Sequence, residues 1–319
     1  MKFGYQENIA LPLVFIDGIT RSGKSMLSGI IPSMKKMEHI QFCTELEMII
    51  SGLSLGGLTP EYAKAFLRIY FNEHSYNLQL SRNVNFRPGD QTGVDNYSDP
   101  KVYYERLKRV EGDDAVEQSQ KGINHIPIQT HDLMVNLSYL NQMDINYKMI
   151  SLWRHPIDNI YSWWTRGWGE RFNNDPRGFS ILINGREELL PWYAAGFESE
   201  LYELNPMEKC IRIATDLLER AVNQYRESPC KEKIHILTFE DFCHRPDVEL
   251  SKICIFLNTE VSEHTPRYLK EARFPRELNS ADRDKKREHF KESVSTESYE
   301  RLMDNCSQYE SNLYRLRKP

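Results

Sequence analysis

Short apolar runs divide the chain and predict four buried strands. They cover residues 11–16, 123–128, 147–153 and 233–239. Short runs rich in apolar side chains are typical of strands that are buried on both faces of a parallel sheet.

Apolar residues between these runs recur with the spacing of helices. The clearest patterns lie at 26–31, 156–164, 208–227 and 247–258, and looser ones at 61–71 and 100–110. Proline suits the first turn of a helix, so Pro156 marks a predicted helix start. Strands that alternate with helices predict an α/β fold of three layers, with a mainly parallel sheet and helices on both faces.

The length of the chain and this pattern predict a single domain that spans residues 1–319. Its regular elements place the core at roughly 9–50 and 121–260. The segments 51–120 and 168–205 are less regular and rich in Gly, Asn and aromatic residues, which predicts an inserted lobe with long functional loops. A highly charged C-terminal segment, 280–319, ends the chain.

The composition limits the ligands that the protein is expected to bind. With 40% hydrophobic and 27% charged residues and a formal net charge of −5, the chain is an ordinary, slightly acidic globular protein. Broad binding of nucleic acid needs a strongly basic face, so no nucleic-acid partner is expected. Any site for an anionic ligand must therefore concentrate positive charge locally.

The cysteine pattern and the hydropathy of the chain indicate the cellular compartment in which the protein is expected. The six cysteines are scattered without a CxxC pair, which favours reduced thiols and argues against a zinc site. No apolar stretch approaches the ~20 residues of a membrane span. We therefore expect a soluble, cytoplasmic protein, whose oligomeric state the sequence does not determine.

The first chemical motif is a phosphate-binding loop. Residues 18–25 match the pattern GxxxxGK[ST] and lie between a predicted strand and a predicted helix. Glycines let backbone N–H groups turn toward an anion, and the lysine charge adds to the positive end of the helix. The motif predicts a P-loop-like nucleotide-binding core, with phosphate contacts from Gly18, Thr20, Arg21, Ser22, Gly23, Lys24 and Ser25. It does not by itself select the nucleotide.

The second motif, R-x-P-x-D-x-x-x-S, covers residues 154–162. Arg154 lies where the chain leaves the third predicted strand, at the carboxyl edge where open α/β sheets bind ligands. Ser162 follows about two helical turns later. An arginine and a hydroxyl placed in this way can bind a phosphate separate from the one in the loop. Asp158, in the first turn, suits the helix dipole.

These two motifs together resemble the sulfotransferases that use PAPS (3′-phosphoadenosine-5′-phosphosulfate). In that family a loop similar to a P-loop binds the 5′-phosphosulfate, and an arginine and a serine at this spacing bind the 3′-phosphate. The resemblance implies that Arg154 and Ser162 bind the 3′-phosphate and that Arg21 is the catalytic cation. It implies transfer of a sulfuryl group to a hydroxyl or amine, which leaves PAP, the 3′,5′-bisphosphate.

Further stretches extend the resemblance from about residue 11 to about residue 258. Gln129-Thr130-His131 resembles the Lys-Thr-His of cytosolic members, with glutamine in place of lysine, and implies that His131 is the catalytic base. Residues 237–242 and the helix after them resemble the family's late Tyr-Glu-Asp strand and its helix.

Two departures from the family pattern leave questions open. Met26 stands where the family often has a tryptophan that stacks on adenine. No Arg-Lys-Gly is found near the C-terminus, where the family adds contacts to the 3′-phosphate. A basic cluster at 283–287 (Arg283, Lys285, Lys286 and Arg287) either takes this role or forms a solvated face.

The catalytic groups follow by analogy with phosphoryl transfer, which needs an aligned nucleophile and stabilisation of negative charge. Arg21 and Lys24 are candidates for charge stabilisation, and no metal ion is required. His131 is the favoured base because its ordinary pKa is near neutral. Glu45 and Glu47 are alternative bases, which would need a pKa raised by burial.

The acceptor is suggested only by aromatic residues. Six of them cluster after the second motif: Trp163, Trp164, Trp168, Trp192, Tyr193 and Phe197. The expected acceptor is a small molecule or a carbohydrate or glycolipid, and the carbohydrate type is favoured because aromatic faces bind sugar rings; core packing explains some of these residues instead.

Two other functions compete with sulfuryl transfer. A P-loop kinase or NTPase that uses Mg-ATP would need an acid at a strand end, and Glu240-Asp241 after the fourth predicted strand is the candidate. A non-catalytic nucleotide-binding protein on the same fold is the other alternative.

Overall fold

A computed structural model describes residues 3–121, 124–170, 178–186 and 188–316. The strands described are β1 (Leu13–Asp17), β2 (Gln41–Phe42), β3 (Ile126–Gln129), β4 (Tyr147–Trp153), β5 (Leu182–Asn184), β6 (Leu189–Pro191) and β7 (Ile234–Thr238). Within these residues, five strands form one parallel sheet in the order β2-β3-β1-β4-β7, and β5 and β6 form a small antiparallel pair.

Helices cover the sheet and extend beyond it. In the first half of the chain they are α1 (Lys24–Ile30), α2 (Thr44–Ser54), α3 (Pro60–Gln79), α4 (Lys101–Arg106), α5 (Asp113–Lys121), α6 (Leu137–Asn141) and α7 (Pro156–Trp164). In the second half they are α8 (Glu198–Leu201), α9 (Pro206–Glu227), α10 (Phe239–His244), α11 (Pro246–Leu257), α12 (Thr265–Glu271), α13 (Ser280–Ser293) and α14 (Thr296–Leu316). In the part of the chain that is described, no helix has the length and apolar character of a membrane span.

The hydrophobic core lies on both faces of the sheet. Alternate residues of β1 point to opposite faces, as the period of a strand requires. Leu13 and Phe15 belong to a cluster formed with α2, α3, α7 and α9. Val14 and Ile16 belong to a second cluster, formed with α1, α10 and α11. The predicted three-layer α/β fold with a parallel sheet is therefore confirmed.

Local signals explain where the main helices begin. Helix α9 starts at a capping box, in which the Asn205 side chain accepts hydrogen bonds from the backbone N–H groups of Met207 and Glu208. The Glu208 carboxylate in turn accepts from the Asn205 N–H, and Pro206 occupies the first turn. These contacts satisfy N–H groups that have no partner within the helix.

The predicted elements agree with the structure in position and differ at their ends. The strand predicted at 147–153 has these bounds, and those predicted at 11–16 and 233–239 correspond to β1 and β7. The strand predicted at 123–128 begins at residue 126, and residue 123 lies outside the described residues. The two-residue strand β2 was not predicted, because two residues carry no periodic signal.

The charged C-terminal segment forms two helices that pack on the rest of the protein. Helix α14 contacts α7 and α9, and α13 contacts α7. Phe290 and Leu302 are fully buried in the cluster on that face. The apolar positions are sparse among many charges, so the sequence pattern did not indicate these helices.

The order of the strands positions the candidate site. Strand β1 lies between β3 and β4, with Ile16 opposite Gln129 and Asp17 opposite Ser151. Because all three strands run in parallel, the residues that follow them meet at the same carboxyl edge. Such an edge is where open α/β sheets bind ligands.

A buried ion pair anchors the segment 80–120 to the core. The Nη1 and Nη2 of Arg106 donate to the two oxygens of the Glu38 carboxylate, at 2.9 Å each. The two side chains are 6% and 2% exposed. The Tyr103 hydroxyl (2.7 Å) and the Asn124 amide (2.9 Å) complete the shell around Glu38.

We expect Arg106→Ala to lower the free energy of unfolding by about 3–5 kcal/mol, because it leaves the buried Glu38 carboxylate without its counter-ion. Arg82→Ala, which breaks an exposed pair with Glu111, is the matched control and should leave the free energy of unfolding almost unchanged, because solvent screens that pair. Urea denaturation at pH 7 measures both values. Equal losses in the two variants would show that the buried pair does not anchor this segment.

Candidate active site

The loop at residues 18–25 turns tightly between β1 and α1. Gly23 has a φ of 104°, and a Cβ atom there would lie 2.8 Å from the Phe239 ring. A Cβ at Gly18 would lie 2.4 Å from the Leu152 carbonyl oxygen. Both positions therefore require glycine, because the loop runs directly over β4 and Phe239.

Lys24 points inward from this loop. Its Nζ donates a hydrogen bond to the Gly18 carbonyl, and the side chain is buried. Burial lowers its pKa, while the charges of Asp132 and Asp17 oppose that shift. The ammonium group therefore lies beneath the loop, beside acidic groups that favour its charged form.

Arg154 and Ser162 join the second motif to the loop. The Arg154 Nη1 donates to the Arg21 carbonyl at 3.2 Å, and the Arg21 Nε donates to the Ser162 Oγ at 3.1 Å. Burial lowers the pKa of Arg21, and the nearby Arg166 and Arg154 lower it further. Cations thus lie close together at the carboxyl ends of β1 and β4.

An open cavity of about 570 Å³ lies beside these cations, and we call it the cation cavity. Its described lining contains no Asp or Glu. The lining residues are Thr20, Arg21, Gly23, Lys24, Ser25, Met26, His131, Arg154, Arg166, Trp168, Phe239 and Arg276. In a chain of net charge −5, this is the local concentration of positive charge that an anionic ligand needs.

Not every predicted loop residue reaches the cation cavity. Gly18 and Ser22 are absent from its described lining, and the Ser22 Oγ is buried without a hydrogen-bond partner in the described residues. The Thr20 carbonyl accepts from the Asn159 amide (3.1 Å) and the Trp163 indole (2.6 Å). These bonds tie the loop to α7.

Sequence reasoning missed Arg276 and Phe239. The Arg276 guanidinium lies 5.0 Å from the Phe239 ring centroid and donates to the Met26 sulfur. On the same ring, Arg154 stacks at 4.7 Å. No sequence motif marks Arg276, because the segment that carries it follows α12 as an irregular stretch.

The basic cluster proposed for the 3′-phosphate lies elsewhere. Arg283 and Lys286 pair with Asp158, at 2.7 and 2.9 Å, and Arg287 pairs with Asp284. Lys285 is exposed. The cluster therefore forms ion pairs of α13 and does not line the cation cavity in the described residues.

His131 and Glu47, weighed as rival bases, are in direct contact. The Glu47 Oε1 accepts from the His131 backbone N–H at 2.8 Å and lies 3.1 Å from the His131 Nδ1. A carboxylate can only accept, so in the neutral imidazole Nδ1 carries the proton and the lone pair lies on Nε2. Glu45 is exposed and accepts from the Tyr70 hydroxyl instead, on another side of α2.

A second open cavity, of about 390 Å³, meets the cation cavity at Thr20, His131 and Trp168. We call it the aromatic cavity. Its other described lining residues are Phe42, Cys43, Thr44, Glu47, Met48, Ser51, Gln129, Asp132, Gly178, Phe179, Ser180, Leu182, Pro191, Trp192 and Tyr193. His131 thus stands at the junction of a cationic cavity and a largely apolar one.

The aromatic residues expected to bind the acceptor divide into two groups. Trp168, Trp192 and Tyr193 line the aromatic cavity. Trp163 and Phe197 are buried in the core, and Trp164 packs against His289. Of the predicted lobe at 51–120, Ser51 alone belongs to the described lining of the aromatic cavity.

Asp132 is an acidic group near the loop that no sequence motif marks. Its carboxylate accepts from the Thr20 N–H at 3.3 Å, and burial raises its pKa to about 6. The neighbouring Gln129 is tied to α1, since its Oε1 accepts from the Ser28 hydroxyl at 2.5 Å. Gln129 therefore contributes an amide to the lining of the aromatic cavity.

Glu240 and Asp241, the acids that a kinase or NTPase would need, form hydrogen bonds with residues outside the loop at 18–25. Glu240 accepts from the His155 N–H and from the Tyr309 hydroxyl, and Asp241 contacts the Thr238 hydroxyl. Neither lines the cation cavity among the described residues. In the described part of the chain, no three His, Cys, Asp or Glu side chains are grouped so as to hold a metal ion.

Solved structures similar to this chain include several sulfotransferases. The sulfotransferase domain of the Synechococcus PCC 7002 olefin synthase is 13% identical, with 97% of this chain and 98% of that one covered and a TM-score of 0.45. The Alicyclobacillus acidocaldarius sulfotransferase is 15% identical, with 93% and 96% covered and a TM-score of 0.38. Mouse sulfotransferase SULT7A1 complexed with PAP is 11% identical, with 87% and 70% covered and a TM-score of 0.35.

Sequence comparison identifies the family. No protein in a search of curated sequences matches significantly. The family model described as "Sulfotransferase domain" matches residues 12–310, nearly the whole chain. The chain therefore belongs to the sulfotransferase domain family and is a PAPS-dependent sulfotransferase.

Proposed function

We propose that this enzyme binds PAPS in the cation cavity and transfers its sulfuryl group to the hydroxyl of an uncharged, largely apolar small molecule in the aromatic cavity. The observation that carries the proposal is the position of His131. It stands where a cavity lined by five Lys and Arg side chains meets one whose described lining has none.

The residues of the cation cavity fit an anion with two phosphate groups. Arg154 and Arg276 stack on Phe239 at one end and would hold the 3′-phosphate, while Ser162 orients Arg21. The loop residues would hold the 5′-phosphosulfate at the other end, nearer His131. All charge compensation in this scheme comes from side chains and backbone N–H groups, so the proposal includes no metal ion.

PAPS supplies the sulfuryl group, and the chain's own residues prepare the acceptor. The His131 Nε2 would take the proton of the acceptor hydroxyl while the acceptor oxygen forms a bond to the sulfur and the bond between that sulfur and the 5′-phosphate oxygen breaks, so that PAP leaves. Glu47, on Nδ1, fixes the tautomer and stabilises the imidazolium that forms. Arg21 and Lys24 stabilise negative charge on the leaving phosphate, which requires Lys24 to leave its bond to the Gly18 carbonyl.

The aromatic cavity suggests the class of acceptor. Its described lining is mainly apolar and aromatic and includes two carboxylates, Glu47 and Asp132, without a Lys or Arg. Phe42 and Phe179 are 49% and 70% exposed, so apolar surface continues beyond the interior of the cavity. A phenol or alcohol with an apolar body fits this lining better than the carbohydrate suggested by the aromatic residues alone.

Titration calorimetry with PAP tests the nucleotide site. We expect metal-independent binding of PAP, and at least a tenfold weaker affinity in Arg154→Ala, because a guanidinium–phosphate contact is lost. The surface variant Arg82→Ala should bind PAP normally. Tight binding of Mg-ATP without a preference for PAP would instead indicate a kinase or NTPase.

The catalytic pair is tested by transfer of radiolabelled sulfuryl groups from PAPS to the best acceptor in a phenol and alcohol panel. His131→Ala should reduce kcat about 10²-fold or more with PAP affinity unchanged, because the base is removed. Glu47→Gln should reduce it less, about tenfold, since the amide oxygen still accepts from Nδ1 but lacks the charge. Glu45→Gln is the matched control, and normal turnover in His131→Ala would disprove the assignment.

The acceptor class is tested with pairs of equal size. We expect kcat/KM for 4-methylphenol to exceed that for 4-hydroxybenzoate by at least about tenfold, because the carboxylate would lie near Glu47 and Asp132 without a counter-ion. A simple alkyl glycoside tests the carbohydrate alternative in the same assay. Preference for the glycoside or for the carboxylate would contradict the proposed class.

A further inference from the structure

Two carboxylates lie close to Arg154 and could compete with a phosphate for it. Asp158 is in the first turn of α7, and Glu240 is in the first turn of α10. Both act electrostatically on Arg154, where they favour the charged guanidinium against the effect of burial, which lowers its pKa. An acid so near an anion site is unfavourable for binding unless another cation neutralises it.

Helix α13 supplies the cations for both acids. The Arg283 Nη2 lies 2.7 Å from the Asp158 Oδ2 and 3.4 Å from the Glu240 Oε1. The Lys286 Nζ lies 2.9 Å from the other Asp158 oxygen. Burial alone would raise the pKa of Asp158, but these two cations hold it below its ordinary value.

Both carboxylate oxygens of Glu240 already accept hydrogen bonds from groups other than Arg154. Its Oε1 accepts from the His155 N–H at 3.0 Å, and its Oε2 accepts from the Tyr309 hydroxyl at 2.9 Å. Arg154 forms no ion pair within the described part of the chain, and its Nη1 donates to the Arg21 carbonyl. The Arg154 Nε is buried without a hydrogen-bond partner in the same residues.

We propose that Arg283 and Lys286 are positioning residues for the nucleotide site, which neutralise Asp158 and Glu240 so that Arg154 remains available to the 3′-phosphate. The inference rests on the proposed function, because it takes Arg154 as the phosphate ligand. It gives the basic cluster of α13 a role in cofactor affinity without direct contact. The two cations act through the acids and do not belong to the described lining of the cation cavity.

Removal of Arg283 should therefore weaken the binding of PAP and PAPS without slowing the transfer step. Without it, Arg154 can pair with Asp158 or Glu240, and the site gains one net negative charge. We expect Arg283→Gln to raise the Kd for PAP and the KM for PAPS about tenfold, with kcat at saturating PAPS changed less than about twofold. Arg283→Lys, which keeps the charge, should remain close to wild type.

A double variant separates this effect from a loss of packing. In Arg283→Gln/Asp158→Asn the carboxylate that lies nearer to Arg283 is gone, while Glu240 keeps its bonds to the His155 N–H and the Tyr309 hydroxyl, so most of the lost PAP affinity should return. Lys291→Gln removes one positive charge from an exposed position on the same helix and is the matched control. Thermal unfolding of each variant identifies any general destabilisation.

Calorimetric titration of PAP into each variant decides the question. Wild-type affinity in Arg283→Gln, or a loss that Asp158→Asn does not restore, would overturn the inference. A wild-type protein that fails to bind PAP would instead disprove the proposed function. Binding that is lost in Arg154→Ala but retained in Arg283→Gln would leave the proposed function standing and remove only the role of α13.

Discussion

The parallel pairing of β1 between β3 and β4 is the constraint on which the site depends. It places the loop at 18–25, His131 and Arg154 at one edge of the sheet, although more than a hundred residues separate the first from the others. Bonds across this edge then hold the pieces in register. The Arg154 guanidinium bonds to the Arg21 carbonyl, and α7 bonds to the Thr20 carbonyl through Asn159 and Trp163.

The protein separates charge between two adjoining cavities. The cation cavity concentrates lysine and arginine in a chain that is acidic overall, while the described lining of the aromatic cavity has carboxylates and apolar rings. Such a division suits a transfer reaction, in which an anionic donor and an uncharged acceptor approach from opposite sides of one base. Net charge alone does not reveal it, because the two kinds of residue cancel in the sum.

Tertiary contacts join residues that the sequence alone presented as separate alternatives. Glu47 and His131 were rival bases along the sequence, yet the carboxylate binds both the backbone and the ring of the histidine. In the same way, Asp158 had a sufficient local explanation as a residue of the first helical turn. Its contacts with Arg283 and Lys286 connect it to α13, which begins more than a hundred residues later.

The sequence by itself determined the α/β class, the strands of the central sheet apart from β2, the loop at 18–25 and the Arg154 motif. These signals are local: apolar runs, glycine positions and a fixed spacing between a strand end and a helix. Only the tertiary structure decided which cations and acids meet. Arg276 reaches the cation cavity from an irregular stretch that carries no motif, Arg283 and Lys286 of α13 pair with Asp158, and three of the six aromatic residues lie outside the described lining of the aromatic cavity. The physical reason is that long-range packing, which no local spacing encodes, fixes the direction of each of these side chains.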